Sequence, residues 1–392
     1  SGSLTPVLDT ESPLENATLD HFAPLGWECV HAEEEIDGDS TLLGRNHQGE
    51  VVLKRFLLPA LQKLNPDLPD EAYEKAVDTL TLDRSAMTFV NANQEIYSLI
   101  KYGVLVNYQD QDGNIKHDWL KVIDWDNPEN NHFLLVSQLW VNGDHHRRRT
   151  DLVGFINGLP FMVMELKAPD VNVYNAFKGN LRDYKDTIPH LFWYNGFIIL
   201  SNGREAKVGS VTAPWEHFAD WKKINTEGEK GVISLDTVIH ATCEKSRILD
   251  IIENFTIFQE VPGGLIKIVA KNHQYLGVNN SINSIQEAKY NNDGRLGVFW
   301  HTQGSGKSAS MIFFTQKVLR KMEGSWTFVI VTDRKELDHQ IYKTFQTSGV
   351  ITERHSLATS SKDLRQLLTE NHRYIFTLIH KFTTDEGQKH PV

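Results

Sequence analysis

Asp151, Glu165 and Lys167 are the residues whose types and spacing suit chemistry on a phosphodiester. Asp151 opens a nearly unbroken apolar run, 152–161, interrupted only by Asn157-Gly158; Glu165 and Lys167 follow it. Charged side chains are costly in a central strand unless a partner meets them. Two residues apart on a strand, Glu165 and Lys167 share one face. Two carboxylates would fix Mg²⁺, the ion would activate water, and the lysine would steady the charge developing on phosphorus. The plain alternative is a solvated Glu–Lys pair on an edge strand, because acid-x-lysine is a short and promiscuous pattern. Arg147-Arg148-Arg149, just before Asp151, offers phosphate contacts; read alone it is a solvated charge run.

One cation shared by Asp151 and Glu165 requires a particular hairpin register. A two-residue Asn157-Gly158 turn sets Asp151 against Met164, on the face away from Glu165, because a one-residue slip reverses every side chain. An odd loop, Ile156-Asn157-Gly158 closing on a left-handed glycine, is therefore expected. Asp151 would then oppose Val163 and lie diagonal to Glu165 at roughly 7–8 Å.

A second constellation is His301-Thr302-Gln303-Gly304-Ser305-Gly306-Lys307-Ser308, between an expected strand at 296–300 and an expected helix at 308–321. Gly304 and Gly306 let backbone amides, including those of Thr302, Gln303 and Ser305, approach phosphates at a helix N-terminus. Lys307 would neutralise the outer phosphates and Ser308 would hold Mg²⁺, so ATP is the expected ligand. His301 stands where the general pattern has glycine. Gln274 carries both a donor and an acceptor, which reading an adenine edge requires, and it reads equally as an ordinary surface glutamine. Asp333 is expected to cap the next helix, with Glu336 at its third position.

The elements that must position these residues follow from periodicity. Ser12-Pro13-Leu14-Glu15 is a capping box, predicting a helix to Leu25 before Gly26. Helices are expected at 70–81, 93–102 and 173–186, and strands at 104–107, 119–123, 133–141, 197–201 and 205–211. One amphipathic helix is expected over 246–258, ahead of the breaker Pro262-Gly263-Gly264. The boundary is placed there, giving regions 1–245, 246–264 and 265–392. Beyond it strands at 327–331 and 374–378 alternate with helices, including one at 336–344, which implies a parallel sheet. The fold class is α/β.

The chain carries a net charge of −11, which argues against a general DNA coat. A confined basic groove remains open, because screening cuts off distant charge within about 10 Å. Lys167, Lys178, Arg182 and Lys185 are its candidates. No apolar run is long enough to cross a membrane. Neither a signal peptide nor a disulfide is expected, and Cys29 and Cys243 read as buried thiols of a reducing cytoplasm.

The segment from Arg149-Thr150-Asp151-Leu152 to Glu165-Leu166-Lys167, taken with Trp300–Ser308, resembles the restriction (motor) subunit of type I restriction–modification enzymes. The resemblance extends to Asp333-Arg334 with Leu337-Asp338 and Gln340, similar to helicase motif Ia, and to Phe376-Thr377 with Lys381-Phe382. It implies a PD-(D/E)xK nuclease followed by an incomplete RecA-like motor domain. Asp151 and Glu165 would be metal ligands, Lys167 the catalytic lysine, and Gln274 with Thr302–Ser308 the nucleotide site. Thr150 replaces the family's usual proline, and Asn180 stands for glutamine in its Q-x-x-x-Y helix, which ends here at Tyr184. Glu15 could be the acidic residue such nucleases carry on their first helix. The implied function is Mg²⁺-dependent cleavage coupled to ATP-driven translocation on double-stranded DNA, in the cytoplasm, with specificity and methyltransferase subunits as partners. A degenerate nuclease fold that only docks a motor is the alternative. Val392 precedes any Walker B acid, so this chain by itself is expected not to turn over ATP.

Overall fold

A computed structural model describes residues 13–38, 42–292, 294–298, 306–351 and 357–382. The chain forms two compact units, Ser1–Glu253 and Asn254–Val392.

In the first unit, α1 (Pro13–Phe22) starts with proline and runs through one further turn, Ala23–Leu25, to Gly26. Gly26 is left-handed at φ +88° and its N–H closes on Ala23 O at 3.0 Å, which ends the helix where the sequence predicts. Ser12, the expected cap, lies outside the described residues. β1 (Glu28–His31) and α2 (Lys54–Leu64) had no clear periodic signal. α3 (Asp70–Leu80) matches expectation, while α4 (Phe89–Tyr102) begins early because Thr88 caps it, accepting from Asn91 N at 3.3 Å. β2 (Val104–Gln109) and β3 (Ile115–Leu120) form a separate hairpin. β3 starts four residues sooner than expected: the Asp110 carboxylate accepts from Asp112 N at 3.0 Å and Asn114 N at 2.9 Å, which tightens the turn.

The main sheet has seven strands. To β1 it adds β4 (Phe133–Asn142), β5 (Arg147–Ile156), β6 (Leu159–Leu166), β7 (Phe197–Ser201), β8 (Ala206–Gly209) and β9 (Ala219–Asp220), in the order β1-β4-β5-β6-β7-β8-β9. β1–β4 and β6–β7 run parallel and the other pairs antiparallel, so the sheet is mixed. β7 is buried at every residue and β6 at all but its last, which explains their continuous apolar sequence. The helix expected at 173–186 is a widened π-turn, Ala176–Leu181, running into α5 (Arg182–Thr187). α6 (Leu235–Cys243) and α7 (Lys245–Asn254) close the unit, and Tyr97 on α4 donates to Ile252 O on α7 at 2.8 Å. Cys29 and Cys243 are free thiols; Cys243 is buried but Cys29 only partly so, which corrects the reading of both as buried.

The single helix expected at 246–258 does not form. α7 stops at Asn254, and β10 (Thr256–Val261) pairs antiparallel with β11 (Gly264–Val269) in the second unit. Pro262-Gly263 is thus the turn of this hairpin, with Gly263 at φ +102°. β-branched and aromatic residues from Thr256 to Phe258 find cross-strand partners, which overrides the local helical pattern.

α8 (Asn272–Asn291) precedes the glycine loop and α9 (Lys307–Lys321) follows it. Residues 294–298, part of the strand expected at 296–300, have no regular structure. β12 (Phe328–Thr332), α10 (Lys335–Thr347), α11 (Ser361–Thr369) and β13 (Tyr374–Leu378) complete the unit, with β12 parallel to β13. Arg334, not Asp333, is the cap position of α10: its backbone is still extended at φ −129° and ψ 139°, and no side chain caps the helix.

Candidate active site

Asn157 (φ +49°) and Gly158 (φ +80°) are both left-handed and form a two-residue turn, with Ile156 paired to Leu159. Asn157 is anchored by its amide, which donates to Val122 O (2.9 Å) and Asn131 Oδ1 (3.0 Å) and accepts from His132 N (2.8 Å). A Cβ at Gly158 would stand 2.4 Å from Leu53 O. The expected three-residue loop is therefore absent, yet the parity it was invoked to provide is present. Phe155 pairs with Pro160 but Gly154 pairs with Met162, leaving Phe161 as the surplus residue of a β-bulge. Beyond it Val153 faces Val163 and Leu152 faces Met164. Asp151 comes next, directly across from Glu165 instead of diagonal to it.

The side chains converge accordingly. Asp151 N donates to Glu165 Oε1 at 3.1 Å, and Leu166 N donates to Asp151 Oδ2 at 2.8 Å. The π-turn carries Asn180 between the other two groups: its Nδ2 donates to Glu165 Oε2 at 3.2 Å, and its Oδ1 accepts from Lys167 Nζ at 2.9 Å. Asparagine here does link the carboxylate to the lysine. Tyr184, one turn on, donates to Arg149 O at 3.0 Å. Glu165 is fully buried, whereas Asp151, Lys167 and Asn180 are half-buried. Burial and then the adjoining Asp151 charge raise the Glu165 carboxyl well above its ordinary range. Burial, with Glu165 and Asp151 next to it, likewise raises the Tyr184 phenol.

These residues suit a hydrated Mg²⁺ better than a closed metal cage. Among the described residues no three His, Cys, Asp or Glu side chains gather to hold an ion. Mg²⁺ binds through one or two carboxylates while keeping several waters, and a cation would relieve the crowding of two acids that raises Glu165. Glu15 lies nearby, its Oε2 accepting from Gln138 Nε2 at 2.7 Å. That glutamine has no sequence signal, since nothing local marks it as special.

The arginine run is committed within the protein. Arg147 donates to Gln48 Oε1 (2.9 Å) and stacks 3.8 Å from the Trp140 ring, Arg148 forks onto Asp183 (2.6 and 3.2 Å), and Arg149 pairs with Glu33. Lys185 also turns inward, to Val211 O at 3.0 Å, and burial lowers its ammonium pKa. Lys178 and Arg182 remain exposed. A cleft of about 870 Å³, lined by residues that include His47, Asp83, Asp144, His146 and His190, holds none of Asp151, Glu165 or Lys167. The convergence of carboxylates, amide and lysine marks the chemical site more specifically than that cleft does.

In the second unit Thr302, Gln303, Gly304 and Ser305 lie outside the described residues. Gly306 is left-handed at φ +85° and caps α9, so Lys307 and Ser308 occupy its first turn, where backbone N–H groups have no helical acceptors. Gln274 is no surface residue: it is 3% exposed, its Oε1 accepts from Lys271 N at 2.8 Å, and its Nε2 donates to Gly306 O at 2.9 Å.

Two family models match the chain. The one described as type I restriction enzyme R protein N terminus matches residues 9–217, and the one described as SWI2/SNF2 ATPase matches 273–392. The type I restriction enzyme HindI endonuclease subunit of Haemophilus influenzae is 35% identical over 96% of this chain and 37% of its own length. The provisionally named MjaIXP endonuclease subunit of Methanocaldococcus jannaschii is 29% identical over 98% of this chain and 38% of its own. The SauCOLORF180P endonuclease subunit of Staphylococcus aureus is 24% identical over 95% and 37%. The chain thus spans little more than a third of the length of these relatives.

Proposed function

Because the chain belongs to the family of the type I restriction enzyme R protein N terminus, we propose that it carries a Mg²⁺-dependent DNA endonuclease joined to the first part of an ATP-driven translocase. The observation that carries this reading is Asp151 directly opposite Glu165, with Asn180 holding Lys167 beside them. In this reading the first unit is a PD-(D/E)xK nuclease and the second a RecA-like motor domain, consistent with the SWI2/SNF2 ATPase match.

Mg²⁺ would be held by Asp151 and Glu165, and when bound it supplies Lewis acidity and an activated water. A cation held there would favour the charged form of Glu165, whose carboxyl is held above its ordinary range by burial and by Asp151. Asn180 accepts from Lys167 and so directs the ammonium to the side where a scissile phosphate would carry its negative charge. Lys178 and Arg182, exposed on the same stretch of helix, are left for the flanking phosphates. In the second unit Gln274, Thr302, Gln303, Gly304, Ser305, Gly306, Lys307 and Ser308 would hold ATP, with Mg²⁺ on Ser308. The substrate is double-stranded DNA. The partners are the specificity and methyltransferase subunits of a cytoplasmic restriction–modification complex.

The test is plasmid cleavage by the complete subunit assembled with its partners. Asp151→Ala should abolish cutting and leave DNA-stimulated ATP hydrolysis nearly intact, whereas Lys307→Ala should abolish both. Cutting retained in purified Asp151→Ala would sink the metal-site assignment. A wild-type complex that turns over ATP without cutting would favour a docking module instead.

A further inference from the structure

Four non-glycine residues among those described adopt left-handed backbone: Asp67, Gln138, Asn157 and Asn292. Asparagine and aspartate visit that region because their short side chains bond locally, and glutamine has no such excuse. Gln138, at φ +54°, is also the one that lies within a strand. β4 keeps its register on either side, Ser137 against Leu152 and Leu139 against Thr150, so Gln138 occupies the position across from Asp151. Its Nε2 reaches Glu15 Oε2 on α1, and Glu15 is 4% exposed. Burial, and then the Asp151 charge, push the Glu15 carboxyl upward against the bonds from Gln138 and Ser137. Strain kept in mid-ladder beside buried acids persists only where the surroundings over-determine it, and such outliers cluster at functional sites.

We propose that Gln138 is a positioning residue of the cation site: its left-handed backbone turns its amide onto Glu15 and fixes that carboxylate as an acceptor for water on an ion held by Asp151 and Glu165. This rests on the metal reading above. Glu15 acts through water in this arrangement, because the three acids do not gather as direct ligands. Outer partners of this kind orient the ion's shell, and their loss typically weakens metal binding by about 10–100-fold.

Calorimetric titration of the 392-residue chain with Mn²⁺, and with Mg²⁺ in parallel, provides the test. Gln138→Gly accepts the left-handed backbone without strain, so it should melt at or above the wild-type temperature yet bind Mn²⁺ about 10–100-fold more weakly. Gln138→Asn keeps an amide too short for Glu15 and should bind as weakly. In a Glu15→Gln background the further change Gln138→Gly should cost nothing more, since both act through one carboxylate. Wild-type affinity in Gln138→Gly, or additive losses in the double variant, would overturn the proposal while leaving the metal site standing. Equal Mn²⁺ binding by wild type and Asp151→Asn would instead remove the metal reading and this inference with it.

Discussion

Asp151 stands directly across the β5–β6 ladder from Glu165 because one residue, Phe161, is surplus to the pairing. The turn itself has the wrong parity, and the bulge reverses it. The proposed cation site and the strand register are therefore coupled. Inserting one alanine between Met162 and Val163, beyond the bulge, would place Asp151 opposite Met164 and Glu165 on the far face. The expected outcome is loss of the Mn²⁺-dependent rise in melting temperature and of plasmid cleavage, with DNA-stimulated ATP hydrolysis by the complete subunit kept as the folding control. Cleavage that survives the insertion would show that the β5–β6 register does not set the site.

Glu165 predicts a pH dependence of stability. Its carboxyl lies well above the ordinary value of 4.5 when folded, so the folded chain holds a proton that the unfolded chain releases. Stability from this group is complete below that value and is lost as pH rises through the folded pKa. Glu165→Gln should therefore raise the melting temperature of the metal-free chain at about pH 8, by on the order of 2–4 °C, and change little at about pH 4. Scanning calorimetry with chelator present at both pH values checks this, and a gain confined to the acid side would contradict the sign.

Asn157 should be a stability hot spot without being part of the site. Its three side-chain hydrogen bonds, two of them buried, and its left-handed backbone together put Asn157→Ala at about 2–4 kcal/mol of destabilisation in urea. Gly158→Ala should be at least as costly, because its Cβ meets backbone instead of a movable side chain. A loss below about 1 kcal/mol for Asn157→Ala would mean that the turn relaxes freely.

Gln274 separates two roles for one amide. As an adenine reader, its removal weakens ATP but not GTP; as a tether of Gly306 through the 2.9 Å bond, its removal weakens both. The buried geometry favours the tether. Gln274→Ala is expected to lose roughly tenfold in affinity for each nucleotide, measured by fluorescent-analogue competition. Selective loss of ATP would restore the base-reading role.

The candidate site residues could be picked out of the sequence because their signals are local. The acid at the start of one strand and the acid-x-lysine at the end of the next, the Asn157-Gly158 hairpin with its left-handed glycine, and the glycine that opens α9 are each marked by residues close together in sequence. Long apolar runs likewise announced β6 and β7, since strands buried at nearly every residue are apolar along almost their whole length. Tertiary structure decided what those signals leave degenerate. Whether the hairpin takes an odd loop or an even turn with a bulge depends on which of several apolar residues packs best on both faces, and 159–164 would satisfy either. The segment after Asn254 had a helical pattern and became a strand because a partner strand was available to pair with it. Asn180 reaches Glu165 and Lys167 through a widened helical turn, and Gln138 is held left-handed opposite Asp151 by contacts with α1; neither is written in any neighbouring residue. Register, strain and bridging are properties of surfaces brought together from distant sequence, and only the folded chain contains those surfaces.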